Sequence, residues 1–177
     1  MGVRSTSQTR APKPAGTLYT PEQRRLRDGS VWTMVQGVLA PFQFAVFLIS
    51  LALVLRYLAT GEGLEIAMIS VVTKTLVLYL IMITGAIWEK VVFGQYLFAP
   101  AFFWEDVVSI LVLALHTAYL AAQFTGALAH EALMYLALAA YASYVVNAAQ
   151  FVWKLRLARL AGQATDSGAD MAAGAVS

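Results

Sequence analysis

Three carboxylates are the residues most able to do chemistry in this chain: Glu89, Glu105 and Asp106. They belong to two tripeptides, Trp88-Glu89-Lys90 and Trp104-Glu105-Asp106, that bracket a mostly apolar stretch over 91–103. If the stretch folds back, Glu89 comes near Glu105. Carboxylates crowded at a partly apolar interface repel and desolvate one another, so one holds its proton at neutral pH. That one can act as a general acid while its neighbour holds a water. The alternative is that they are solvated interfacial charges, with Glu105 and Asp106 favoured by the dipole at a helix start.

A second group lies deeper in apolar sequence. Lys74 and His116 fall near the middle of long apolar runs, and Asn147 and Gln150 share a face with Ser143 and Lys154. Ionisable groups inside a membrane are costly and face the bundle interior, which makes Lys74 and His116 functional candidates. The competing reading is that such groups hydrogen-bond helices together, at about 1 kcal/mol each. That reading is favoured for Gln43, Asn147 and Gln150. His116 is a candidate proton carrier or ligand to a metal that arrives already chelated. A zinc site built by the protein is poorly supported, because His130 lies in a distant turn and cysteine is absent.

Eleven residues separate Glu105 from His116, which leaves them almost on one helix face, roughly 16 Å apart along the axis. That span is comparable to a large planar ligand. Adjacent Glu105 and Asp106 point about 100° apart, so at most one of them faces that ligand. Phe98, Phe103 and Trp104, among six aromatics between 93 and 104, suit a re-entrant loop over a flat hydrophobic molecule.

The elements that position these residues are membrane spans. The chain is 60% hydrophobic and 12% charged over 177 residues, outside the usual soluble range. Four runs are long enough to cross a hydrocarbon core of roughly 30 Å: Val31–Leu55, Ile66–Trp88, Val107–Phe124 and Ala132–Trp153. Long apolar runs without alternation argue against a β-barrel. The expected fold is an all-α integral membrane four-helix bundle. Residues 1–30 form a basic tail, residues 31–160 the transmembrane domain, and residues 161–177 a tail without structure.

Thr20-Pro21-Glu22-Gln23 reads as a capping box that opens a short surface helix over Pro21–Arg27, ended by Gly29. Lys and Arg cluster before the first span, at Lys90 and after the last span, whereas the opposite side carries only Arg56. Both termini and the 89–106 connection are therefore expected on the cytoplasmic side, with the four tryptophans at that interface. No cleavable signal peptide is expected. The small positive charge in the tails suits anionic lipid rather than nucleic acid.

Gly85-Ala-Ile-Trp-Glu-Lys-Val-Val-Phe-Gly94 and Tyr96-Leu-Phe-Ala-Pro-Ala-Phe-Phe-Trp-Glu-Asp-Val-Val-Ser109 resemble the signature of the vinyl bacteriochlorophyllide hydratase family. Thr20-Pro-Glu-Gln-Arg-Arg25, Trp32 to Pro41, Leu115-His-Thr-Ala-Tyr119 and Tyr144 to Phe151 are similar to it as well. The resemblance runs from about Leu18 to Arg159.

It implies addition of water to the C3 vinyl group of chlorophyllide a, giving a 3-(1-hydroxyethyl) product on the route to bacteriochlorophyll a. It also implies no organic cofactor, a substrate that carries its own magnesium, a bacterial inner or intracytoplasmic membrane, and neighbouring pathway enzymes as partners. Within that reading Glu89, Glu105 and Asp106 are the catalytic candidates. His116, Lys74, Phe98, Phe103, Trp104, Asn147 and Gln150 are the pigment-binding candidates, with His116 a candidate axial ligand to magnesium. Two other readings use the same bundle: a non-enzymatic pigment carrier or assembly factor, and a small proton-coupled transporter built around Lys74 and His116.

Overall fold

Every long apolar run becomes a helix that outlasts its expected hydrocarbon crossing. The computed structural model describes residues 18–174, with side chains described through residue 160. The helices are α1 (Pro21–Gly29), α2 (Val31–Thr60), α3 (Leu64–Phe93), α4 (Phe103–Thr125) and α5 (His130–Gly174). The last four are long and apolar enough to cross a membrane. Thirty residues of α2 or α3 rise about 45 Å, so each extends beyond a hydrocarbon core of roughly 30 Å. The expected ends, drawn where apolar runs stop, fall inside helices because the backbone ladder continues into polar sequence.

The chain runs as two antiparallel hairpins. Gly61 and Gly63, both at positive φ, make the tight α2–α3 turn that Thr60-Gly61-Glu62-Gly63 predicts. The α4–α5 turn starts at Gly126. Pro41 is accommodated inside one continuous α2. α5 runs to Gly174, which differs from the expectation of a tail without structure after Gly162. Alanines between Ala161 and Ala173 favour that continuation. The expectation for residues 1–17 lies outside the described residues.

α1 begins as expected. The Thr20 Oγ1 accepts from the Gln23 amide at 3.2 Å, and the Gln23 Oε1 accepts from the Thr20 amide at 2.9 Å. Such a cap stabilises a helix by about 1 kcal/mol. Thr33 then joins three helices: it donates to the Arg27 carbonyl at 2.6 Å and accepts from the Trp88 indole at 2.9 Å. Tyr19 stacks on Phe93 and lies under the Arg27 guanidinium, 4.7 Å from its ring centre. Burial pushes the Tyr19 phenol above its ordinary range, against the opposing pull of Arg27.

Two cores result. The larger runs through the bundle around Phe47, Val54, Val71, Leu78, Val112, Tyr119 and Tyr141. The smaller sits at the connection end, where Tyr19, Val92 and Phe102 pack with Trp88, Phe93 and Phe151. Gln43 and Ser50 are buried, and Gln36 donates to Thr84 at 2.7 Å, so residues 36, 43 and 50, at heptad spacing, line one inward polar stripe of α2. Ser50 lies 2.7 Å from Ser70 and 2.6 Å from the Tyr141 hydroxyl, which links the first hairpin to the second.

Candidate active site

The connection between α3 and α4 folds back over the acids at its two ends. Glu89 lies in the penultimate turn of α3, and Glu105 and Asp106 lie in the first turn of α4. All three are buried. The Phe98 amide donates to Asp106 Oδ2 at 2.7 Å, and the Ala99 amide donates to Glu89 Oε2 at 3.3 Å. The loop backbone thus caps both carboxyls. Gly94, at φ 84°, starts the reversal where a side chain would be strained.

Glu89 and Asp106 lie within hydrogen-bonding reach of each other. Two carboxyl groups make that contact only when one of them carries a proton, because an ionised carboxylate has no donor. Glu105 turns the other way. Its Oε2 accepts from Lys154 Nζ of α5 at 2.5 Å, and the same ammonium donates to the Ala101 carbonyl. The 100° step between adjacent residues therefore sends Asp106 toward α3 and Glu105 toward α5. The expected neighbour of Glu89 is Glu105; the hydrogen-bonding partner in the structure is Asp106.

Lys154 is the site residue that sequence reasoning did not select. Its place on the Asn147–Gln150 face of α5 was the available signal.

Phe98 adopts φ +60°, a left-handed conformation that costs a residue with a side chain roughly 1–2 kcal/mol. The hydrogen bond to Asp106 holds it there. Its half-exposed ring lies 5.7 Å from Phe103, which lies 5.4 Å from Trp104, itself 69% exposed. These three form an outward aromatic face beside the acids. Phe93 and Phe102 of the same segment instead turn inward to the smaller core.

Lys74 and His116 come together elsewhere. Lys74 Nζ lies 2.9 Å from His116 Nε2, and His116 Nδ1 lies 2.8 Å from the Val112 carbonyl. A carbonyl only accepts, so Nδ1 carries the proton and Nε2 accepts from Lys74. Both ring nitrogens are engaged within the protein. Lys74 Nζ also sits 4.1 Å from the centre of the Tyr144 ring. Both side chains are fully buried, joining α3 to α4 deep in the bundle. His116 shares the inward face of α4 with Glu105, as spacing predicts, with buried Ser109 and Val112 between them along the helix.

Asn147 donates to Ser109 of α4 at 2.7 Å. Gln150 lies one turn further along α5. The structure thus gathers Glu89, Glu105, Asp106 and Lys154 at the connection end, with Phe98, Phe103 and Trp104 outside them. Lys74 and His116 form a separate site.

The comparisons agree on one family. A family model described as 2-vinyl bacteriochlorophyllide hydratase (BCHF) matches residues 19–157. A curated relative from Cereibacter sphaeroides is 68% identical over 147 residues, covering 83% of this chain and 91% of the relative. One from Rhodobacter capsulatus is 64% identical over 151 residues, covering 85% and 88%. Both relatives are named 2-vinyl bacteriochlorophyllide hydratase. No solved structure matches.

Proposed function

The chain belongs to the 2-vinyl bacteriochlorophyllide hydratase family, and on that premise we propose that it is a membrane hydro-lyase of bacteriochlorophyll synthesis. It hydrates the vinyl group of a magnesium chlorin, read here as the C3 vinyl of chlorophyllide a. The observation that carries the mechanism is the contact between Glu89 and Asp106, beside a Glu105 committed to Lys154.

The shared proton of the Glu89–Asp106 pair passes to the terminal vinyl carbon, which becomes a methyl group. The inner carbon is left as a cation delocalised into the macrocycle. A water oxygen bonds to that carbon, and its released proton returns to the carboxyl pair. The net change is addition of one water, with no oxidant, reductant or organic cofactor.

Burial favours this chemistry. Two acids desolvated together hold one proton against bulk water, the pattern that lets a carboxyl act as a donor near neutral pH. Glu105 and Lys154 form an ion pair that holds the first turn of α4 against α5.

Phe98, Phe103 and Trp104 are the platform for the macrocycle, which lies against the exposed face rather than in the packed interior. Because the Phe98 and Ala99 amides cap the acids, the loop must shift for the vinyl group to reach them. Lys74 and His116 serve as a buried clasp between α3 and α4, and the substrate's magnesium is not assigned to His116. The distribution of Lys and Arg supports an orientation with the connection facing the cytoplasm, in the bacterial inner or intracytoplasmic membrane.

The test is to incubate the purified full chain with chlorophyllide a. A mass increase of one water, with the blue-shifted absorption of a lost vinyl conjugation, supports the reading. Pigment that binds and returns unchanged overturns it in favour of a carrier.

A further inference from the structure

Asn147 and Gln150 stand one turn apart on α5, and Asn147 is tied to α4 through Ser109. Asn147 is nine-tenths buried. Its Oδ1 and the Gln150 Oε1 are both shielded, and neither finds a donor among the described residues. The groups beside them are already engaged. Ser109 accepts from Asn147, and Lys154, one turn beyond Gln150, donates to Glu105 and the Ala101 carbonyl. Ser109 itself lies one turn from Glu105 and Asp106 on α4.

Buried amide oxygens call for donors, because leaving them unmet forfeits the hydrogen bonds they had in water. What suits two carbonyl-type acceptors is a small molecule with two O–H donors. Water is that molecule, and buried waters typically hold two to four such partners. A water that gives its hydrogens to amide oxygens turns its lone pairs away from them. Amides neither ionise nor take up protons at working pH, so they orient the water and leave its proton to the acids.

From this we infer that Asn147 and Gln150 cradle the reacting water and fix the face of the vinyl-derived cation that it attacks. Ser109 is the positioning residue that holds the Asn147 amide. The inference rests on the hydratase reading and deepens it: the acids move protons, and the α5 amides place the oxygen. When the water oxygen bonds to the inner vinyl carbon it becomes a protonated alcohol with two hydrogens. One stays on an amide oxygen, and the other turns from its amide to the carboxylate of the pair that protonated the terminal carbon, which restores the shared proton.

The experiment compares the unaltered full chain with Asn147→Leu and Gln150→Met, each incubated with chlorophyllide a. Three readouts are taken: pigment affinity by absorbance titration, turnover, and the ratio of the two diastereomers at the new hydroxyethyl carbon. The expected result is unchanged pigment affinity, turnover lowered about tenfold or more, and a ratio moved toward equality. Methanol added as a rival nucleophile should yield more methoxyethyl product in the variants.

Wild-type rate and ratio in both variants overturn the cradle. So does a lowered rate with an unchanged ratio, which assigns the amides to helix packing, and so does an equal mixture from the unaltered protein. If Asn147→Leu does not fold, Gln150→Met, unbranched and of similar length, decides alone. Failure of the unaltered protein to hydrate is a different result, because it removes the hydratase reading itself.

Discussion

Glu105 lies 2.5 Å from Lys154, so the first turn of α4 is fastened to α5 forty-nine residues away. The adjacent Asp106 has no share in that ion pair and meets Glu89 of α3 instead. Neighbouring acids thus face different helices, and on the proposed reading one is a structural charge and the other half of a proton-sharing pair.

Removing Lys154 leaves Glu105 buried without its counter-ion. Lys154→Met should destabilise the protein by about 2 kcal/mol, less than a fully buried pair because the lysine is partly exposed. Lys154→Met with Glu105→Gln should recover much of that loss. Reversible unfolding in mixed micelles measures both, and an unaffected single variant contradicts the pairing.

Glu89→Gln and Asp106→Asn each break the shared proton. Each should lower hydration by roughly 10²–10⁴-fold while chlorophyllide a still binds, whereas Glu105→Gln loses far less. A general acid must be protonated to act, so the unaltered enzyme should slow on the alkaline side of its pH profile. Full activity in a Glu89→Gln/Asp106→Asn double variant would sink the acid assignment.

The Lys74–His116 clasp predicts strong coupling. His116→Leu leaves the buried Lys74 amine without its acceptor and should cost about 1–3 kcal/mol, whereas adding Lys74→Met should restore part of it. A double-mutant cycle should give an interaction of about 0.5–3 kcal/mol. Additive losses would mean that the two residues do not act as a pair.

Phe98 separates backbone strain from pigment contact. Phe98→Gly removes the left-handed penalty and the ring together, whereas Phe98→Ala removes only the ring. Both should weaken chlorophyllide binding alike, with the glycine variant more stable by about 1 kcal/mol. Unchanged affinity in both would remove the aromatic platform.

Much of this was readable along the chain because its causes are local. Thr20 to Gln23 spells a capping box, and Thr60-Gly61-Glu62-Gly63 spells a turn; both form as expected. Spacing alone put Glu105 and His116 on one face and turned Asp106 away from Glu105. Other features depended on distant sequence. Nothing near Glu89 names Asp106 as its partner, and nothing near Lys154 says that it reaches Glu105 rather than solvent. Lys74 and His116 group together by their depth in apolar sequence, but nothing local says that they touch across forty-two residues.

The sequence by itself determined that there are four membrane-length helices, roughly where they turn, and which residues are too polar for their surroundings. It could do so because lipid offers the backbone no partners, so each apolar run must satisfy its own hydrogen bonds as a helix. The tertiary structure decided which acid lies toward Glu89, which meets Lys154, and which amide oxygens are buried without a donor among the described residues. Those outcomes depend on how each helix is rotated and shifted against the others. Packing of distant side chains sets that rotation, and a shift of one residue along α4, about 100°, would exchange the roles of Glu105 and Asp106.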